Sequence, residues 1–222
     1  MLDQRIGHPD GALMGSEPLR LTRALAHDLR ASVHGLQMAL DMLGGSIKGG
    51  DGSPVDRYLG LARAEAAQLD RTVEQLGLWV RLLGGDFRVH PQRVELGALL
   101  RQRMNGRAET PEAPVPAMAD KQLLVPALDG LYDFLKAYAP GDEAGVRLFP
   151  DGRMEVYGSG SLLPVFRTVT AGPVPDMQVA GGPAVWLVGP ALAVGTCRAC
   201  GGTVRVEASD TACSLWLTWP PA

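Results

Sequence analysis

A histidine beside a carboxylate stands near the start of the chain, in the run Ala26-His27-Asp28-Leu29-Arg30. At about 100° per residue, His27 lies about 200° from the apolar helical stripe that passes through Leu25, so it faces outward. Asp28 can accept the second ring N–H and fix the tautomer of the imidazole. Arg30, one turn on, can hold phosphate oxygens bidentately. The alternative is a solvated histidine on a charged helix face.

The same outward face continues past His27 with residues that suit contact with a partner. It carries a small residue, an imidazole, a glycine, a thioether and a carboxylate: Ala31, His34, Gly35, Met38 and Asp41. His34 lies about two turns beyond His27 but has no adjacent acid, so we interpret it as a contact residue. A thioether adapts well to an apolar partner helix. The alternative for Met38 is that it covers a seam between helices.

Two long helical patterns dominate the first part of the chain. Apolar residues recur at steps of three or four over residues 18–43 and again over 54–83, and a glycine-rich turn separates the two runs. Ser53 is the expected N-cap of the second helix. Residues 17–86 are therefore predicted to form a helical hairpin, behind a loose leader at 1–16. Because each helix has an apolar stripe, we expect two hairpins to join as a dimeric four-helix bundle.

The rest of the chain, residues 90–222, mixes helices with short strands. A helix is expected from Lys121 to Tyr138, and a Pro-Asp-Gly turn at 150–152 joins two strands in a hairpin. A further apolar helix is expected over 185–200, followed by two closing strands. This order predicts one sheet beneath helices. The fold class is therefore α+β with two domains, a helical hairpin and an α/β sandwich.

Composition excludes several classes of partner. The chain has 222 residues, 46% of them hydrophobic, and a formal net charge of −3. This charge gives no basis for nucleic-acid binding, which needs a clustered basic face. No apolar run approaches the roughly 18 residues of a membrane helix, and the N-terminus lacks an apolar signal core, so no membrane partner is expected. Three cysteines favour a reducing compartment, and we predict a cytoplasmic protein.

Cys197 and Cys200 have the spacing of a zinc or redox pair. A zinc site needs about four ligands, and only Cys213 and four scattered histidines remain to supply the others. The pair also lies near the end of an apolar helical run rather than at a strand-to-helix junction. We interpret these residues as buried helix cysteines and predict no metal site.

The run Ala26–Arg30 resembles the H-box of sensor histidine kinases, in which the imidazole becomes phosphorylated. Residues 120–140 resemble the N-box helix of the kinases' ATP-binding domain, and residues 155–164 resemble the glycine box that follows it. Residues 201–207 resemble the segment that leads from the last helix of the kinase domain into its closing strands. These motifs occur in the order of the kinases, and the resemblance covers nearly the whole chain. It implies a dimerisation and phosphoacceptor hairpin followed by an ATP-binding-type domain.

The nucleotide ligands that this resemblance would require are missing. Where the kinases have asparagines for magnesium and a lysine for phosphate, this chain has Gly130, Phe134 and Ala137. Glycine and phenylalanine offer no oxygen to a hard cation. Gly158 stands in place of the adenine-reading aspartate, and Leu162 in place of a glycine. Of the paired glycines in the last helix only one remains, at 189. We therefore expect no ATP binding.

A kinase-like dimer without nucleotide ligands resembles the ChpT-type histidine phosphotransferases. That resemblance implies a homodimer that relays phosphate between the aspartates of response-regulator receiver domains through His27, without autokinase activity. A hybrid histidine kinase is a further expected partner. Magnesium would be expected only on the partner receiver domain. Ala31 lacks the side chain that would orient water for dephosphorylation. The rival hypotheses are a pseudokinase scaffold that carries no phosphate and an active kinase with an atypical nucleotide site.

Overall fold

The computed structural model of the chain describes residues 33–36, 38–43, 45, 52–84, 87–139, 143–171 and 187–222. Residues 33–36 and 38–43 are helical, and helix α1 spans Gly52–Gly84. This helix begins before Ser53, so Ser53 lies within its first turn and not at the cap. The first turn leaves backbone N–H groups without helical partners, so Ser53 and Pro54 both fit there. Antiparallel pairing of the two helices stays a prediction.

The remaining described residues form an α/β layer of alternating elements. Its strands are β1 (Gln92–Glu95), β2 (Ala108–Glu109), β3 (Pro116–Ala119), β4 (Gly145–Leu148), β5 (Arg153–Ser159), β6 (Thr203–Ala208) and β7 (Ala212–Thr218). Its helices are α2 (Leu96–Arg103), α3 (Lys121–Tyr138), α4 (Leu163–Ala171) and α5 (Val188–Ala199), with a 3₁₀ turn at Gly160–Leu162.

Five of the strands form a mixed sheet in the order β2-β4-β5-β7-β6. Strands β2 and β4 are parallel, and every other neighbouring pair is antiparallel. Strands β1 and β3 form a separate antiparallel pair. The described chain is thus α+β, as predicted. The dimeric four-helix bundle stays a prediction.

The core lies between the inner face of the sheet and helices α3, α4 and α5. Strand residues alternate across the sheet, so Val146, Val156 and Leu215 point inward and are fully buried. On the helical side, the fully buried aromatic residues are Phe134 of α3 and Phe166 of α4. The described helices α3, α4 and α5 therefore pack on this inner face of the sheet.

Most elements expected from the sequence are present, and three were missed. Helix α3 has the predicted bounds, Lys121–Tyr138, and the predicted β-hairpin turns at Gly152, where φ is +83° and favours glycine. Strands β2 and β3 and helix α4 were not predicted. The sequence Pro-Ala-Met-Ala of β3 has no β-branched residue, and it becomes a strand by pairing with β1. Helix α4 begins with a leucine and Pro164, which fits a first helical turn.

Glu95 joins β1 to α2 through a concentrated set of hydrogen bonds. Its carboxylate accepts the N–H of Gly97 at 3.0 Å, that of Ala98, and that of Val115 at 3.0 Å. Partial burial alone would raise the pKa of Glu95, but these backbone bonds and the nearby Arg101 outweigh it, and the pKa is lowered. The carboxylate therefore serves as an N-cap and also holds the loop before β3.

We expect Glu95→Ala to lower the free energy of unfolding by about 1–2 kcal/mol at neutral pH, the usual effect of losing an N-cap. Because the folded-state pKa lies below the unfolded value, the ionised carboxylate stabilises the fold above that unfolded value. The stability difference should shrink as the pH falls through the folded pKa. Urea unfolding of both proteins at neutral and acidic pH measures it. An equal difference at both pH values would contradict the capping role.

Candidate functional site

The helical residues before α1 carry part of the predicted partner-contact face. His34, Met38 and Asp41 are exposed, and Gly35 is half-buried. Positions i, i+4 and i+7 share one helix face, so these three exposed side chains form one row. His27, Asp28, Arg30 and Ala31 lie outside the described residues, so their roles stay predictions.

Sequence reasoning missed one residue that extends this row. Met42 lies four positions beyond Met38, and both side chains keep 47% of their surface exposed. Two neighbouring exposed methionines give a polarizable, adaptable surface. The i, i+4 spacing of the two methionines is the signal in the sequence that predicts a shared face.

Helix α3 carries the positions at which the kinase resemblance would place magnesium ligands. Phe134 is fully buried, its ring centroid 4.9 Å from that of Tyr138 and 6.3 Å from that of Phe166. Ala137 is half-buried and has no side-chain donor or acceptor. An aromatic cluster therefore occupies this side of α3, and the side chain at position 134 itself offers no oxygen to a hard cation.

Two glycines at this site are closed in by their neighbours. A Cβ added to Gly130 would lie 2.5 Å from Cα of Gly189, a distance that real Cβ contacts do not show. A Cβ added to Gly158 would lie 2.5 Å from Cδ1 of Leu162, which is itself 1% exposed. An asparagine at 130 or an aspartate at 158 would therefore not fit without displacing the backbone of α5 or the side chain of Leu162. At positions 130 and 158 the space for a larger side chain is therefore occupied.

The three cysteines are all buried and free of disulfides. Burial raises the pKa of Cys197 to about 12. Burial also raises the pKa of Cys200, whose sulfur accepts the N–H of Asp120 at 3.3 Å. Thiols of raised pKa are poor nucleophiles at neutral pH. The predicted burial of Cys197 and Cys200 is confirmed, with Cys197 inside α5 and Cys200 at the C-cap of that helix. Among the residues that the structure describes, no cluster of three or more histidine, cysteine or acidic side chains could hold a metal ion.

The outer face of the sheet carries a polar network beside a cavity of about 400 Å³. Arg147 donates to Glu109 at 2.8 Å and to Glu155 at 3.2 Å, while Ser214 donates to Glu155 at 2.6 Å. The Arg147 hydrogen bond, assisted by the hydroxyl of Tyr157, holds the pKa of Glu109 below its usual value. These groups bond to one another across neighbouring strands, so we assign the network a structural role in the sheet.

The second half of α1 contacts the α/β layer through residues that the apolar pattern did not single out. Thr72, Gln75 and Trp79 are at most 6% exposed. Beside them, a cavity of about 490 Å³ opens between the end of α1 and helices α4 and α5.

In the described residues, no helix combines the length and apolar character that crossing a bilayer requires.

Comparison with solved structures identifies this arrangement of helices and sheet. The Acinetobacter baumannii histidine kinase AdeS superposes with a TM-score of 0.53 and 15% sequence identity, over 87% of this chain and 98% of the AdeS chain. The chain has a histidine-kinase-like fold. At this identity the likeness establishes the fold alone.

Two further solved structures are similar to the histidine-kinase-like fold of this chain at lower TM-scores. One is a bacterial phosphotransferase, with a TM-score of 0.45, 16% identity, and coverage of 95% of this chain and 99% of that one. The other is full-length ShkA in complex with AMPPNP, with a TM-score of 0.46, 17% identity, and coverage of 93% and 47%. At TM-scores below 0.5 these likenesses add nothing to the fold assignment. No protein-family model and no curated protein matches the chain.

Proposed function

We propose that this chain is a histidine phosphotransferase of the two-component type. It would act as a homodimer that relays a phosphoryl group between aspartates of response-regulator receiver domains through His27, without binding ATP. The single observation that supports this most strongly is steric. On a histidine-kinase-like fold, Phe134 and Leu162 are buried, and the glycines at 130 and 158 have no room for the side chains that a nucleotide site would need.

The proposed chemistry uses the imidazole as a carrier. A neutral ring nitrogen of His27 attacks the phosphorus of a receiver's aspartyl phosphate, so a P–N bond forms as the P–O bond to the aspartate breaks. Asp28 accepts the remaining ring N–H, and Arg30 neutralises charge on the phosphoryl oxygens. The second receiver's aspartate then attacks, the P–N bond breaks and a P–O bond forms. Such transfer depends mostly on positioning and charge stabilisation, and the partner receiver would supply magnesium.

The exposed row formed by His34, Met38 and Asp41 supports docking beside this histidine. An exposed imidazole, thioether and carboxylate on one face can contact a partner without rearrangement of the helix. Met42 would extend the contact by one turn. The alternative scaffold function would use the same row but would need no phosphoryl acceptor.

We expect ATP analogues to bind this protein more weakly than about 100 μM, which corresponds to less than about 5.5 kcal/mol of binding free energy. The expectation follows from the occupied space at positions 130 and 158 and from the buried ring of Phe134. Isothermal titration of AMPPNP with magnesium into the dimer measures it, and a nucleotide-binding histidine kinase titrated under the same conditions is the control. Tighter, magnesium-dependent binding would favour an active kinase with an atypical site.

A further inference from the structure

Helix α1 presents two different faces to its surroundings. On one face Thr72, Gln75 and Trp79 are 5%, 6% and 1% exposed, at the i, i+3 and i+7 spacing of a single helical stripe. On the other face Val73 and Val80 are 53% and 54% exposed. The buried stripe is therefore the one that holds α1 against the α/β layer, and the apolar row of valines is left open.

Glycines in two helices make room for the buried stripe. Helices α3 and α5 touch backbone to backbone, because a Cβ added to Gly189 would overlap the carbonyl carbon of Gly130. The side chain of Gln75 lies directly over this contact, with its Oε1 3.0 Å from the place of a Cβ on Gly130. Gln75 can therefore reach the junction of α3 and α5 only because neither helix carries a side chain there.

Polar and apolar contacts then fix α1 in this position. Gln75 Nε2 donates to the carbonyl oxygen of Pro126 in α3 at 3.2 Å. One turn beyond Trp79, Leu82 lies against Gly195 of α5, where an added Cβ would come within 2.9 Å of its Cδ2. The amide of Gln75 is buried, so breaking its bond would leave a polar group without water to replace the partner.

We propose that Gln75 and Trp79 are positioning residues that lock the α/β layer onto α1, so that the layer and this helix keep one fixed relation. The contacts described above support the fixed packing of the α/β layer on α1, and its relevance to phosphate transfer rests on the proposed function. A nucleotide-bearing domain must approach the histidine to phosphorylate it and then withdraw for the partner. A carrier that receives phosphate from one receiver and gives it to another needs no such movement. A locked surface would instead help to select partners by shape.

Paired spin labels can test the lock directly. The native cysteines are buried, so labels would attach selectively to exposed cysteines introduced by Ala64→Cys on α1 and Ala208→Cys on β6. Mixing the labelled chain with excess unlabelled chain would isolate distances within one protomer. We expect one narrow distance distribution in the native background and a broad one after Trp79→Ala or Gln75→Ala.

Gln68→Ala is the matched control for this measurement. Gln68 lies two turns before Gln75 on the same face, and its Oε1 accepts from Arg71 in its own helix at 2.7 Å. It should keep the distribution narrow. A native distribution as broad as that of Trp79→Ala, or narrow distributions in both Gln75→Ala and Trp79→Ala, would overturn the lock. Circular dichroism of each variant separates loosening from unfolding, and Gln75→Ala serves if Trp79→Ala fails to fold.

Kinetic measurements distinguish a positioning role of Gln75 and Trp79 from a general loss of structure in the variants. Phosphoramidate phosphorylates imidazoles without a receiver, so both variants should be loaded at the native rate. With a receiver that exchanges phosphate with the native chain, their KM should rise about tenfold, a typical coupling between sites. Equal KM values would overturn the positioning role. If the native chain accepts no phosphate from any donor, the proposed function fails. The spin-label distances still test whether Gln75 and Trp79 fix the α/β layer on α1.

Discussion

Replacing His27 with alanine should abolish phosphate transfer, because His27 is the one residue proposed to accept the phosphoryl group. His34→Ala is the matched control: it removes an exposed imidazole seven positions further along the chain, where the helical pattern of the sequence predicts the same face as for His27. If His34 only contacts the partner, its loss should cost about 1 kcal/mol, which is less than about tenfold in rate. The two substitutions therefore differ by orders of magnitude under the proposed function.

Incubation of each variant with a radiolabelled phosphorylated receiver measures this difference. Label on the native chain should be lost in acid and survive base, as expected for a P–N bond and not for an acyl phosphate. Loss of label in His34→Ala with retention in His27→Ala would move the acceptor to His34. If His27→Ala still modulates the partner's phosphorylation as the native chain does, the pseudokinase scaffold replaces the carrier.

The sequence predicted those elements whose ends carry local signals. Asp120 caps α3 by accepting the N–H of Gln122 at 2.8 Å, and an aspartate before an amphipathic run is a recognisable helix start. Gly152 supplies the positive φ of the β4–β5 turn, where a Pro-Asp-Gly sequence leaves few alternatives. Strand β3 has no such signal. Its pairing with β1 depends on a partner more than 20 residues earlier in the chain.

The buried face of α1 was missed for a similar reason. Thr72 and Gln75 are polar, so a search for apolar spacing passes over them and follows Val73 and Val80 instead. The structure can bury Gln75 because Gly130, in a helix far along the chain, leaves space for its side chain and the carbonyl group of Pro126 accepts its N–H. Local periodicity can reveal that a helix has an apolar stripe, but it cannot say which distant backbone will accept a glutamine.

At the candidate site, too, some features could be predicted from residue types and others only from the structure. The prediction that positions 130 and 134 hold no magnesium ligand could be made from residue types alone, since a glycine and a phenylalanine side chain offer no oxygen to the ion. That the space for those ligands is also filled could not be predicted in this way, because it depends on Leu162 lying over Gly158 and on α5 lying against Gly130. Restoring the ligands one at a time would therefore meet a steric barrier as well as a chemical one.

On the exposed face of α1, the double substitution Val73→Asp and Val80→Asp should convert the proposed dimer into a monomer. In the single protomer these valines, seven positions apart on one face of the helix, are 53% and 54% exposed. Exposed apolar residues in a row along one helix mark a surface that another helix covers. Since a second copy of the hairpin is the proposed cover, both helices of each protomer would lose contacts at once.

The expected size of the effect follows from the area that remains to be buried. Covering the exposed half of each valine contributes about 1 kcal/mol, so the four valines of a dimer contribute about 4 kcal/mol. Their loss weakens the dimer about a thousandfold, and the added carboxylates weaken it further because burying an unpaired charge is costly. Both positions already face solvent in the protomer, so each variant chain should remain folded. Ala64→Asp, a charge added at an exposed position off this row, should leave the dimer intact. Sedimentation equilibrium distinguishes the outcomes, and a native chain that is already monomeric at micromolar concentration would show that the valine row serves another partner.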